Sequence, residues 1–231
     1  MMALPHDMIG IATTNALPTM APWGGAEKMV GINPLGVAIP TGTELVDVGS
    51  EVKTGDIIEY NSLVLAAQVQ QWGGLATRFP IQPDNFEQIK ATVAQAAATH
   101  DLVLLNAGSS AGSEDFSAQV VESLGTLLVH GIAVRPGHPV IIGMVTGRVT
   151  GDGGQQTAIP IIGIPGYPVS AALTGEIFVE PLLAKWRGQR SVQPPTLTAT
   201  LTRKILSPMG DDEYVRVTVG RVGERMVATP L

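Results

Sequence analysis

Four short segments of this chain combine glycine, proline, hydroxyl and carboxylate side chains in ways that could hold an anion or a metal. They are Thr41-Gly42-Thr43-Glu44, Asn106 through Asp115, Arg135-Pro136-Gly137-His138-Pro139 and Pro165-Gly166-Tyr167-Pro168. The second is the richest. Gly108 and Gly112 permit close backbone approach, and Ser109, Ser110 and Ser113 set hydroxyls beside main-chain N–H groups. That loop runs into a helix, whose N-terminus favours negative charge. A plain small-residue turn, with Asp115 capping the next helix, is an equal reading of the same residues. Pro165-Gly166-Tyr167-Pro168-Val169-Ser170 reads on its own as a strand-to-helix turn with Pro168 in the first helical turn. Glu44, Glu59 and Asp115 are dispersed carboxylates, each by itself a surface residue or a cap. Gathered by strand-end loops they would suit Mg²⁺, which needs one or two carboxylates plus substrate phosphates. His138 shares its turn with Arg135, and with no cysteine in the chain and no second histidine nearby it does not suggest a transition-metal site. No Ser–His–Asp or Walker pattern occurs, and His6, His100 and His130 attract no functional reading.

These segments need elements to position them. Val37-Ala38-Ile39 reads as a short strand and Ser62–Trp72 as a helix stopped by Gly73-Gly74. Leu75–Pro80 is a strand, and Asp84–Thr99 a second helix with Asp84 as its expected N-cap. Asp101–Asn106 is the clearest buried strand and opens directly into the glycine-serine loop. A helix follows from about Phe116 to Leu124, then strands over Leu127–Val134, Val140–Val145 and Ala158–Pro165, then a long apolar helix over Val169–Trp186. Strands alternating with helices predict βαβ units: an α/β fold, a three-layer, mostly parallel sheet with helices on both faces. In such sheets ligands bind outside the carboxyl ends of the strands, where three of the four segments fall. Beyond the linker Ser191–Pro195, the stretches Thr196–Ile205, Glu213–Val219 and Met226–Thr229 alternate apolar and polar residues, predicting a small C-terminal all-β domain, antiparallel with one wet face. The expected organisation is an atypical segment over 1–36, an α/β domain over 37–188 and the β domain over 189–231.

Bulk properties narrow the function. The 231 residues are 45% hydrophobic and 15% charged, with mean hydropathy +0.25. No apolar run reaches the roughly 18 residues that span a bilayer, so the apolarity belongs to a covered sheet and no membrane association is expected. A net charge of −6 argues against a nucleic-acid binder. The N-terminal Met-Met-Ala-Leu-Pro-His-Asp has no signal-peptide character, so a cytoplasmic location is the default expectation.

In register, the loops resemble the molybdopterin molybdenumtransferase family. Thr41-Gly42-Thr43-Glu44-Leu45 is similar to its Thr-Gly-Asp-Glu-Leu, Glu59-Tyr60-Asn61 to its Asp-Ser-Asn, and Ala107 through Gly112 with Asp115 to its Gly-Gly-Val-Ser-Val-Gly loop and downstream Asp. Arg135–Pro139 is similar to Lys-Pro-Gly-Lys-Pro, and Gly163–Ser170 to Gly-Leu-Pro-Gly-Asn-Pro-Val-Ser. Tyr214-Val215-Arg216-Val217 and the closing Ala228–Leu231 are similar to the family's β domain. The resemblance covers about residues 36–231. It implies insertion of molybdate into adenylylated molybdopterin with Mg²⁺, and a possible homodimer. It assigns Glu44, Glu59 and Asp115 to catalysis, with Glu44 and Asp115 on the metal. The ligand would be cradled by Thr41, Gly42, Asn61, Gly108, Ser109, Ser110, Gly112, Arg135, Pro136, Gly137, His138, Pro165, Gly166 and Ser170. The sequence departs from the family at Thr43, which replaces a carboxylate, at Glu59, longer than the usual Asp, and at His138, which replaces a Lys and carries charge only when protonated.

Family members place an elongated domain before the position of Val37. Here residues ~3–41, including Met8–Ala16, Ala21–Gly25 and Asn33-Pro34-Leu35, instead resemble a segment of the non-Rossmann malate/L-lactate dehydrogenases, as a chimera would. So short a segment cannot rebuild a dehydrogenase cofactor site, and no redox activity is assigned. The alternative to the transferase is therefore a non-catalytic molybdopterin- or nucleotide-binding module.

Overall fold

The computed structural model of the chain describes residues 35–106, 116–150, 155–190, 194–207 and 209–231. The expected anion loop, with Gly108, Ser109, Ser110, Gly112 and Asp115, lies outside the described residues, as do residues 1–34 with the dehydrogenase resemblance and most of the expected 191–195 linker.

The chain enters β1 (Leu35–Pro40), passes β2 (Leu45–Asp47) and β3 (Ile57–Glu59), and forms α1 (Asn61–Gln71). Then come β4 (Leu75–Arg78), α2 (Phe86–Thr99), β5 (Leu102–Asn106), α3 (Ser117–Leu124), β6 (Gly125–His130), β7 (Val134–Arg135), β8 (Ile141–Thr150) and β9 (Gln155–Ile164). The main sheet has the order β4-β1-β5-β9-β8-β6. Its first four strands are mutually parallel, while β8 runs antiparallel to both neighbours, β9 and β6.

The continuous apolar run of β5 explains the three layers. Side chains alternate along a strand, so Val103 and Leu105 join the cluster under α2 and α3, whereas Leu102 and Leu104 join the cluster on the α1 side. All four are essentially inaccessible. Each such burial contributes roughly 1.5–3 kcal/mol. Both faces are dry, so no polar alternation was available to the sequence. α2 presents Ile89, Val93, Ala96 and Ala97 at helical spacing to one face; α1 presents Leu65 and Val69 to the other.

Several expectations are corrected. The N-cap of α2 is Asn85, whose side chain accepts the Gln88 N–H at 3.1 Å from an extended backbone; Asp84 is used elsewhere. β8 and β9 pair antiparallel and run longer than expected; the four residues between them are too few for the crossover a parallel pair needs. The strand expected over Leu127–Val134 breaks at Gly131, whose φ of +84° turns the chain. Gly131 and Ile132 then donate to the carbonyls of Val140 and His138, closing a loop that presents Arg135–His138.

The long helix after β9 is instead α4 (Pro168–Thr174), a π-helical turn over Gly175–Val179, and α5 (Glu180–Trp186). Pro181 has no N–H to give and its ring crowds the carbonyl one turn back, so the ladder slips to a wider turn there, with Glu180 N–H donating to Gly175 O.

The C-terminal sheet, order β10-β13-β12, consists of β10 (Thr200–Leu201), β12 (Val217–Val222) and β13 (Arg225–Pro230). β12 and β13 are antiparallel as expected, but β10 is only a short piece parallel to β13. Nor is one face dry: all of β12 is exposed, and only Ala228 and Pro230 of β13 are buried. Alternation in this segment tracked pairing rather than a core. The remaining strand, β11 (Asp212–Glu213), leaves this sheet and pairs with β7.

Candidate functional site

The crossover pattern selects the place where a ligand can sit. From β1 the chain goes through α1 to β4 on one side, then through α2 on the opposite face to β5 on β1's other side. The carboxyl ends of β1 and β5 thus lie side by side, and in open α/β sheets it is the crevice outside such strand ends that takes the ligand. Thr41 and Asn106 meet there: Thr41 donates its N–H (2.9 Å) and its hydroxyl (3.3 Å) to the Asn106 carbonyl.

One strand further, β9 ends in Pro165-Gly166. Buried Asn61, at the start of α1, donates through Nδ2 to Gly166 O at 2.7 Å, fixing that turn to the helix. Against it packs the Arg135–Pro139 loop, and the two enclose a cavity of about 520 Å³. Arg135, Pro136, Gly137, His138, Pro165, Gly166 and Ser170, all expected at a ligand, line it together. Pro139, Tyr167 and Glu213 also line the cavity and were not in the expected set. Glu213 carried no sequence signal: it lies on β11, far along the chain and inside what read as a separate domain, and reaches the cavity only because β11 pairs with β7. The Arg135 guanidinium forms an ion pair with Asp211 just before that strand. With Glu213 in the wall, the positive charge expected of this turn is therefore partly offset.

Gly42 and Glu44 lie away from this cavity. Gly42, at φ +151°, helps line a second hollow of about 370 Å³ with Thr43, Asp47 and Ser50. An added Cβ on Gly42 would stand 2.8 Å from Leu45 Cγ and 3.2 Å from a Glu44 carboxylate oxygen, so the exposed Glu44 side chain lies close against it. Thr43, where the family resemblance expects a carboxylate, forms a reciprocal clasp with Asp84. Thr43 N–H donates to Asp84 Oδ2 (2.9 Å) and Asp84 N–H donates to Thr43 Oγ1 (3.1 Å).

Glu59 is the second of the two expected carboxylates that are described, Asp115 lying outside the described residues. It is 2% exposed, and its oxygens are occupied from within. Oε1 accepts the Ser62 N–H at 2.8 Å and Asn106 Nδ2 at 3.4 Å; Oε2 accepts the Ser62 hydroxyl at 2.6 Å. Arg78 donates through Nε to Ser62 Oγ at 2.8 Å and stands 3.8 Å from Oε2 through its terminal nitrogen. Among the described residues no group of three or more Asp, Glu and His side chains gathers as a metal cage. No helix among them is long and apolar enough to cross a membrane.

The fold is an α/β domain with a mostly parallel central sheet, and the Arg135–Pro139 and Pro165–Ser170 segments share a cavity at its edge. The family model for the probable molybdopterin binding domain matches residues 38–185, and the chain belongs to that family. A second model, malate/L-lactate dehydrogenase, matches residues 1–63, reaching beyond the ~3–41 resemblance and overlapping the first match. The molybdopterin molybdenumtransferase of Haemophilus influenzae is 30% identical, over 88% of this chain and 48% of its own length. Molybdopterin molybdenumtransferase 2 of Mycobacterium tuberculosis is 30% identical, over 89% of this chain and 50% of its own. A solved structure of the molybdopterin biosynthesis MoeA protein of Pyrococcus horikoshii superposes with a TM-score of 0.66 at 31% identity, covering 86% of this chain and 45% of that one. The chain thus spans about half the length of the relatives it matches.

Proposed function

We propose that the chain binds molybdopterin or its adenylate at the strand-end crevice and takes part in the insertion of molybdate into adenylylated molybdopterin. The observation carrying this reading is the cavity in which the Arg135–His138 and Pro165–Ser170 segments meet. Each comes from a different strand end, and both are lined with small or ring-locked residues that let a ligand approach the main chain. Arg135 and His138 are the cationic candidates for an oxyanion, and Ser170 offers a hydroxyl. Gly42 and Thr41 would hold the ligand at the β1 end, with Gly108, Ser109, Ser110, Gly112 and Asp115 assigned by family resemblance. In this class of reaction, orientation and charge neutralisation supply most of the rate.

For Mg²⁺, the described carboxylate that fits is Glu44, exposed beside Gly42; one protein carboxylate plus substrate oxygens is an ordinary Mg²⁺ environment. Bound there, the ion would neutralise negative charge on the substrate. Glu59 does not fit a metal role, because its acceptor sites are spent on Ser62 and Asn106. That observation favours a second reading, a non-catalytic molybdopterin-binding module. Cytoplasmic location and a homodimer belong to the same proposal.

Calorimetric titration of the purified chain with molybdopterin or its adenylate, with and without Mg²⁺ and molybdate, tests it. Saturable binding, weakened by Arg135→Ala and Ser110→Ala, is expected. Molybdate-dependent turnover would select the transferase, and binding without turnover the module. A folded protein that binds neither pterin would overturn the proposal.

A further inference from the structure

We infer that Asn106 is a ligand-binding residue of the strand-end crevice and that Glu59 is the positioning residue that aims it. The inference rests on the reading of this crevice as the pterin site.

Asn106 ends β5, the strand beside β1, and is 3% exposed. Its Nδ2 donates to Glu59 Oε1, while its Oδ1 is buried with no hydrogen-bond partner among the described residues. An unpaired buried acceptor is costly, and few natural structures leave one without a reason. Rotating the amide would not relieve it, because Oδ1 would then face the Glu59 carboxylate, acceptor against acceptor. The amide therefore has one orientation, and the group it leaves unpaired at the carboxyl end of β5 is an acceptor.

Glu59 is itself fixed before any ligand arrives. Ser62 N–H, Ser62 Oγ–H and the Arg78 guanidinium hold its carboxylate, and Ser62 anchors it to the first turn of α1. The same turn carries Asn61, which holds Gly166 of the neighbouring strand end. One buried network thus ties the ends of β5 and β9 to the start of α1.

The chemistry of the partner follows. A carbonyl oxygen backed by a carboxylate rejects phosphate or molybdate oxygens and accepts an N–H or O–H donor. Asn106 therefore meets the donor-bearing part of the ligand, an amino or ring N–H or a sugar hydroxyl. The oxyanion is left to the Arg135–His138 side.

The experiment is calorimetric titration of the whole chain with molybdopterin, comparing wild type, Asn106→Ala, Glu59→Ala and the double variant. Thermal unfolding serves as a fold check, and Asn106→Ser replaces Asn106→Ala if that variant fails to fold. Asn106→Ala should bind roughly tenfold more weakly, the worth of one hydrogen bond to a buried acceptor. Glu59→Ala, which removes the acceptor that holds Asn106 Nδ2, should weaken binding too, and the double variant no further than Asn106→Ala alone, because Glu59 acts through the amide. Wild-type binding that Asn106→Ala leaves unchanged, as it would if a buried water satisfied Oδ1, overturns the inference and spares the pterin reading. Losses that simply add overturn the positioning role of Glu59. No binding by folded wild type overturns the reading and this inference with it.

Discussion

Replacing Glu59 by Gln distinguishes an anchor from a metal ligand by the sign of a stability change. A carboxylate kept for a metal is poised against repulsion in the empty protein, so neutralising it leaves stability unchanged or raises it. The geometry here implies the reverse. Glu59 is 2% exposed and accepts from Ser62 twice, from Asn106 and electrostatically from Arg78. Gln can keep the contact to Ser62 N–H but presents an N–H₂ where Oε2 accepted the Ser62 hydroxyl. It also leaves Arg78 without its counter-charge. Hydrogen bonds to charged groups are worth about 1.5–3 kcal/mol against about 0.5–1.5 for neutral ones. Arg78 is partly exposed and 3.8 Å away, so its share is screened to at most about 1 kcal/mol. The relief of no longer burying a charge offsets part of the loss. The expected net cost is about 2 kcal/mol, read as a lower urea midpoint with unchanged slope in metal-free buffer. An unchanged or raised midpoint would refute the assignment of Glu59 as an anchor.

Four further outcomes follow from particular contacts. Asn85→Ala should cost about 1 kcal/mol by removing the cap on α2. Asp84→Ala should cost the helix less; its effect should appear as faster amide exchange at Thr43, where the clasp is lost. Gly163→Ala should destabilise by about 1–3 kcal/mol, because an added Cβ would stand 2.9 Å from Ile141 Cβ in the β8–β9 pair; a shift in urea midpoint checks it. Asp211→Asn should free Arg135 from its ion pair and tighten oxyanion binding at the Pro-Gly cavity several-fold. Molybdate titration monitored by calorimetry reads the change.

What the sequence determined by itself were the properties fixed by short-range pattern. The apolar run Leu102–Leu105 required a strand covered on both faces, and the spacing of Ile89, Val93, Ala96 and Ala97 required a helix with one dry face. Five motifs in order carried the family resemblance, which the match over residues 38–185 supports. Adjacent residues also announced the turns at Arg135–Pro139 and Pro165–Ser170, because proline and glycine impose their backbone geometry locally.

What only the tertiary structure decided were contacts between residues far apart in the chain. Glu59 read as a candidate catalytic carboxylate because composition cannot reveal that Ser62, Asn106 and Arg78 surround it. Glu213 read as part of a separate β domain until the pairing of β11 with β7 brought it into the cavity wall. Charge followed the same rule: Arg135 looked free in the sequence and is paired with Asp211 in the fold. Local periodicity reports which side of an element is dry. Whether a polar side chain is spent inside the protein or kept for a ligand depends on neighbours that only folding supplies.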